Sequence, residues 1–163
     1  VIDRALLSLK SNDFPIYYLS PRGVKLDAQI SNSISKLDGM TLVCGKYEGV
    51  DERVIKHYNM IEISIGDYIL SGGDLAAMVL IDSVVRCLPN VLGNPLTLNE
   101  ESFTNHLLEY PLYTQPREWK NYKVPDVLLS GDHKKIKNWK IKQSEDITMK
   151  RRPDLWKKYL KLK

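Results

Sequence analysis

Only two cysteines, Cys44 and Cys87, stand in the 163 residues, and they lie far apart. Neither a disulfide framework nor a paired-thiol metal site can be built from them, and so thiol-poor a composition is that expected of a cytosolic protein. Histidine is as sparse: His57, His106 and His133 are scattered, and none belongs to a His-Glu-x-x-His pair, so a zinc site has no support. No apolar run approaches the roughly 18 to 20 residues of a membrane-spanning helix, because Asp67, Asp74 and Asp82 interrupt the most hydrophobic stretch. No Gly-x-Gly-x-x-Gly follows a strand-like run, and the residues around Gly45-Lys46 fail the phosphate-loop pattern. Repeats and low-complexity tracts are also lacking.

What is present is a chain 43% apolar, long enough to bury a core, with a formal net charge of +4. The charge is uneven. Residues 1–116 hold 9 Lys/Arg against 14 Asp/Glu, whereas residues 117–163 hold 15 against 6. A basic block on an acidic body concentrates positive potential and attracts polyanions, nucleic acid first among them; a solvated lysine-rich helical surface would look the same by charge alone.

Three short apolar runs of strand character are closed by Gly or Pro: Ile16–Leu19, Met40–Cys44 and Met60–Ile65. Segments of helix length flank them. Val1–Lys10 reads as a helix, and Asp27–Leu37 places Ile30, Ile34 and Leu37 at helical spacing. After Gly72-Gly73, Asp74 is expected to cap a helix marked by Leu75, Met78, Val79, Asp82 and Val85 until Pro89 ends it. This alternation predicts an α/β layer with a mainly parallel sheet. The proline-rich stretch 90–125 reads as a linker, followed by two short helices, His133–Ser144 and Thr148–Lys163, the second started or broken at Pro153.

In open α/β sheets ligands sit beyond the carboxyl ends of the strands. There the sequence has YLSPRG, CGKYEG and SIGDYILSGG, whose glycines let main-chain groups approach a ligand. Singly, each is ordinary turn chemistry; together, at successive strand ends, they point to one pocket lined by backbone.

The strings IYYLSPRGVKLD (16–27), LVCGKYEGVDERV (42–54), EISIGDYILSGGDLAAMVLIDSVVR (62–86), LLEYPLYTQP (107–116), LLSGDHKKIKNWK (128–140) and RRPDL (151–155) closely resemble, in the same order, the bacterial tRNA (guanine-N1)-methyltransferases. The resemblance implies a SPOUT-type trefoil-knot α/β domain over 1–93, an interdomain linker over 94–108 and a small basic helical tRNA-binding domain over 109–163. It implies S-adenosylmethionine bound by Tyr18, Leu19, Ser20 and Pro21 on one wall, Gly45 and Glu48 on a second, and Ile65, Gly66, Tyr68, Leu70, Gly72 and Gly73 on a third. Core packing is the alternative for Leu19 and Ile65.

By motif position the base that removes the guanine N1 proton is Glu101, where the family has aspartate, and Arg86 supports the charge building on O6. An exposed linker acid and a complement to a helix dipole are the alternatives for these two. Ser102 matches a substrate-associated position. Lys134, Lys135, Lys137, Lys140, Lys142, Lys150, Arg151 and Arg152 would grip tRNA phosphates, with Trp139 packing between helices or stacking on a base. The resemblance further implies methylation at guanosine 37 following guanosine 36, a cytoplasmic homodimer whose active site joins two subunits, and assistance by Mg2+, for which no ligand cluster is visible.

Departures are Lys46 for Arg, Asp74 for Glu, Ala76 for Pro and Gln115 for Arg, the last removing a potential phosphate contact. The family also carries an N-terminal region with the opening strands and a glycine-rich loop. The expectation is that these are missing here, which would leave an exposed sheet edge if the protein began at Val1. Two competing functions remain open: an RNA-binding module without activity, and a related knotted methyltransferase acting on ribosomal RNA.

Overall fold

Tyr and Ile favour extended backbone, and the run Ile16-Tyr17-Tyr18-Leu19 starts the longest strand among the described residues, β1 (Ile16–Lys25). The computed structural model describes residues 1–9, 14–46, 48–93 and 101–163. They fall into two units, Val1–Gly93 and Asn94–Lys163.

In the first unit α1 (Ile2–Leu7) precedes β1, and α2 (Ala28–Ile34), β2 (Thr41–Val43), α3 (Glu52–His57), β3 (Ile61–Ser64) and α4 (Gly73–Val85) follow. The sheet order is β2-β1-β3, and both pairings are parallel. Parallel neighbours need crossovers, which the segments carrying α2 and α3 supply. Because side chains alternate across a strand, β1 feeds two cores. Tyr17 and Leu19 join Ile34, Ile63, Ala76, Ala77, Leu80 and Val84 on one face. Tyr18 joins Leu6, Val43, Ile55 and Met60 on the other. The Asp27 carboxylate caps α2 by accepting the Ile30 N–H at 2.9 Å.

The three strands and the parallel sheet are as the apolar runs predict, with two differences in this unit. β1 continues through Pro21 to Lys25 because Leu19 and Val24 both lie opposite Ile63, so residues 20–23 are pushed out of the ladder. In α4 the N-cap is Gly72, and Asp74 sits in the first turn without a capping bond. The inward face of α4 is Ala76, Ala77, Leu80 and Val84; the expected face of Leu75, Met78, Val79 and Val85 is exposed. A helix apolar all round gives no signal of which side turns in, and small alanines let α4 lie close on β1.

The second unit begins its described part with a 3-10 turn, Thr104–His106. A hairpin follows, β4 (Glu118–Trp119) with β5 (Tyr122–Lys123), within the stretch expected to be a linker. Its two turn residues, Lys120 and Asn121, have φ of 46° and 66°, the left-handed pair that matches the twist of a hairpin. Helices α5 (Asp126–Leu129), α6 (His133–Arg151) and α7 (Pro153–Leu160) complete the unit. The break expected between Ser144 and Thr148 is absent, because the Thr148 hydroxyl donates to the Ser144 carbonyl at 2.6 Å inside a continuous helix. The chain turns instead at Arg152, whose helical conformation Pro153 disfavours. Tyr159 and Lys163 both bond Glu145 Oε1 at 2.7 Å and fold the last helix back on α6.

Residues 94–100 of the expected linker lie outside the described residues, and 101–108 pack within the second unit. Phe103, Asn105 and His106 all have positive φ, a costly conformation for residues other than glycine. Side chains hold it: the Glu109 N–H donates to Ser102 Oγ at 2.9 Å, and the Leu108 N–H donates to Thr148 Oγ1 at 2.8 Å. Thr148 is fully buried. Replacing it by the isosteric valine strands the Leu108 N–H, so Thr148→Val should lower unfolding free energy by about 1–2 kcal/mol, measured by denaturant titration. Amide exchange at Leu108 and Glu109 should accelerate in the same variant.

Candidate active site

At the carboxyl ends of the parallel strands, three loops enclose a cavity of about 480 Å³, within the range of small-molecule sites. The first wall is Tyr18 and Leu19 of β1 with Ser20, Pro21 and Arg22 from its extruded turn. The second is Gly45, Lys46, Glu48, Gly49, Val50 and Glu52, between β2 and α3. The third runs through Ile63, Ser64, Ile65, Gly66, Tyr68, Ile69, Leu70, Ser71, Gly72 and Gly73 to Ala76 of α4. All twelve residues expected to bind the cofactor line this one cavity.

Backbone contacts join the walls. The Gly73 N–H donates to the Gly45 carbonyl at 2.8 Å, and Lys46 and Gly72 form a β-bridge. A Cβ at Gly73 would meet Cys44 Cα at 3.0 Å and Gly45 N at 3.1 Å, so the approach of the second and third walls depends on glycine. Within the third wall the buried Ser64 hydroxyl accepts the Gly66 N–H at 3.2 Å and donates to the Gly66 carbonyl at 3.0 Å, fixing the turn. Behind the second wall Asp51 starts α3, accepting the Arg53 N–H at 2.9 Å. Its carboxyl is held down at about 2 by the Arg53 guanidinium and then the Arg53 N–H.

Arg22 is a wall residue that the sequence reading did not single out. Its Nη2 lies 3.2 Å from Glu52 Oε2 and 3.1 Å from Glu62 Oε2, linking the extruded turn of β1 to α3 and β3. Glu52 was missed with it: the pair is 30 positions apart, and nothing in a linear string marks two such charges as neighbours. Glu52 is thus neutralised by Arg22, and Glu48 is the acid that the second wall offers a cationic ligand, while Tyr18, Leu19, Ile65 and Leu70 offer apolar surface.

The remaining candidates fall on other elements. Arg86 is the C-cap of α4, whose other end, Gly73, lines the cavity. At 1.5 Å per residue the helix separates them by roughly 20 Å. Glu101 and Ser102 belong to the second unit, where Glu101 is half-buried and its carbonyl accepts the Thr104 N–H at 3.3 Å. On α6 and its end, Lys134, Lys135, Lys137, Lys142 and Arg151 are exposed. Lys140 lies over the Tyr110 ring at 4.4 Å, and Arg152 pairs with Asp154 at 2.6 Å. Trp139 packs against Tyr113 with ring centres 6.3 Å apart. Among the described residues no group of His, Cys, Asp and Glu could hold a metal ion. No helix among them is long and apolar enough to cross a membrane.

Comparison with known proteins yields one family. The model described as "tRNA (Guanine-1)-methyltransferase TrmD" matches residues 1–158. The chain is 54% identical over 161 residues to the tRNA (guanine-N(1)-)-methyltransferase of Pelagibacter ubique, covering 99% of this chain and 71% of that protein. It is 51% identical over 149 residues to the protein of the same name from Ruegeria pomeroyi, covering 91% and 61%. With that from Rhodospirillum rubrum it shares 51% over 160 residues, covering 98% and 67%. The chain thus spans 61% to 71% of the length of these relatives.

Proposed function

Because this chain belongs to the tRNA (guanine-1)-methyltransferase family, we propose that the protein transfers a methyl group from S-adenosylmethionine to N1 of guanosine 37 in tRNA, following guanosine 36. The observation that carries this reading is the convergence of three glycine-bearing loops on one cavity at the carboxyl ends of parallel strands. Its size and backbone lining suit a nucleoside, and Glu48 on its second wall suits the sulfonium. In this reading the domain is knotted, the second unit holds the anticodon stem and loop, and the enzyme works in the cytoplasm, with Mg2+ assisting.

When bound, S-adenosylmethionine supplies an electrophilic methyl on sulfur. The protein's task is to hold guanine N1 in line with it, which can account for much of the rate. Glu101 takes the N1 proton as the new N–C bond forms and the S–C bond breaks. Arg86 stabilises the negative charge that builds towards O6. Ser102 braces the loop bearing Glu101 through its bond to the Glu109 N–H.

A homodimer follows from the same reading. In it the adenosylmethionine pocket of one subunit is completed by the linker acid Glu101 and the basic unit of a second copy. The exposed apolar side of α4, with Leu75 and Met78 60% and 65% accessible, is a surface such a copy would cover.

The test is transfer of labelled methyl to a tRNA transcript carrying guanosines 36 and 37, with the product mapped by a reverse-transcription stop at N1. One methyl per transcript, lost when guanosine 37 is replaced, is the expected result. Binding without transfer would instead favour an RNA-binding module, and transfer to ribosomal RNA alone a related knotted enzyme.

A further inference from the structure

The hairpin of the second unit has no part in the chemistry above, yet its surface is unusual. Trp119 and Tyr122, paired across β4 and β5, are 58% and 76% exposed. Their rings are stacked, with centres 6.4 Å apart and planes 28° from parallel. Lys120 Nζ lies 4.9 Å from the Trp119 ring centre. Arg117, Lys120 and Lys123 crowd the same seven residues, with Glu118 the one acid among them, 3.8 Å from Lys123 Nζ.

Two large rings in water are a cost to a folded protein unless something covers them. A protein partner would be expected to meet an apolar patch with a polar rim; here cations are interleaved with the rings on two short strands. That combination fits a single-stranded nucleic acid, whose bases stack on aromatic faces while phosphates meet the cations. The rest of the unit agrees in sign, since residues 117–163 carry 15 Lys/Arg against 6 Asp/Glu. The hairpin is also braced for a fixed pose: the Val124 N–H donates to the Arg117 carbonyl at 2.9 Å and extends its ladder.

We propose that the Arg117–Lys123 hairpin is an RNA-contacting element on which an unpaired base of the bound RNA stacks against Trp119 or Tyr122, with Lys120 and Arg117 on the adjoining phosphates. The inference rests on the reading of the protein as a tRNA-binding enzyme and adds to it a contact outside the lysines of α6.

The experiment measures the Kd of the complete protein for the guanosine 36–37 transcript at several salt concentrations, beside S-adenosylmethionine affinity and sedimentation. The Trp119→Ala/Tyr122→Ala variant should bind the transcript about tenfold more weakly or worse, with adenosylmethionine affinity and oligomeric state unchanged. Trp119→Phe/Tyr122→Phe, which keeps two rings, should bind within about threefold of the parent on the same stacking argument. Lys120→Ala should reduce the slope of log K against log salt by about one, a change that the aromatic variant should not show. Unaltered transcript affinity in the double alanine variant would overturn the inference while leaving the enzyme reading intact. So would a change of oligomeric state with transcript affinity preserved, which would make the hairpin a protein contact. A parent protein that binds no tRNA would sink the enzyme reading itself.

Discussion

Glu101→Gln should lower kcat by roughly 10²-fold or more, the scale of losing a general base, while the Kd for S-adenosylmethionine stays within error of the parent. The two effects separate because, in the proposed reading, Glu101 acts on the guanine proton and the adenosylmethionine pocket is built from the first unit. Glutamine keeps the size and a hydrogen-bonding oxygen but cannot accept the N1 proton at neutral pH. The bonds that Ser102 and Thr148 make to this loop do not involve the substituted group. Glu101→Asp, one methylene shorter, keeps the carboxylate and should remain active. Single-turnover methyl transfer with pre-bound tRNA reads the chemical step directly. Normal turnover by the glutamine variant would remove Glu101 from the role of base and turn attention to another acid.

Gly23→Ala should be the most damaging small substitution in the first unit. A Cβ at Gly23 would sit inside the backbone of Glu62 and Ile63, with no flexible side chain to swing aside. Either β3 moves or the extruded turn does. In both cases the Val24–Ile63 register and the Arg22–Glu62 ion pair are disturbed, and with them the first wall of the cavity. Overpacking of this kind costs about 3 kcal/mol at the upper end of its usual range. The denaturation midpoint should fall accordingly, and calorimetry should find adenosylmethionine binding weakened by at least tenfold, since 1.4 kcal/mol diverted to reopening the turn suffices. An unchanged midpoint together with unchanged binding would show that the turn and β3 are not in this close contact.

Strand positions and the grouping of the glycine loops were readable from the chain because both have local causes. Apolar runs closed by Gly or Pro mark the ends of β2 and β3 and the point where β1 leaves its ladder, and the loops at those points have to lie side by side in a parallel sheet. What was not readable has non-local causes. The side of α4 that turns inward depends on how close a helix lies to β1, and Ala76 and Ala77 meet that need better than Leu75 and Met78. The hairpin carries Lys120-Asn121 in place of the Asn-Gly or Asp-Gly that advertises such a turn. Arg22 and Glu52 become neighbours only once residues 20–23 leave the ladder. The roles of Glu101 and Arg86 came from family resemblance alone; no spacing rule would select one acid of Glu100-Glu101 or one arginine at a helix end.

That β1 lies between β2 and β3, both made after it, has a bearing on how the chain is born. Tyr17 faces Leu42 on one side and Ile61 on the other, partners 25 and 44 positions downstream. At a ribosomal rate of about 5–20 residues per second, the latter emerges on the order of 2–9 s after Tyr17. Throughout that interval the β3 side of Tyr17, Tyr18 and Leu19 is without its partner, and distant pairings are slow to find even afterwards. A translational pause in that window would prolong the exposure of this nascent segment to chaperones and to neighbouring nascent chains, whereas a pause beyond α4 would come after both of these partner strands have been made.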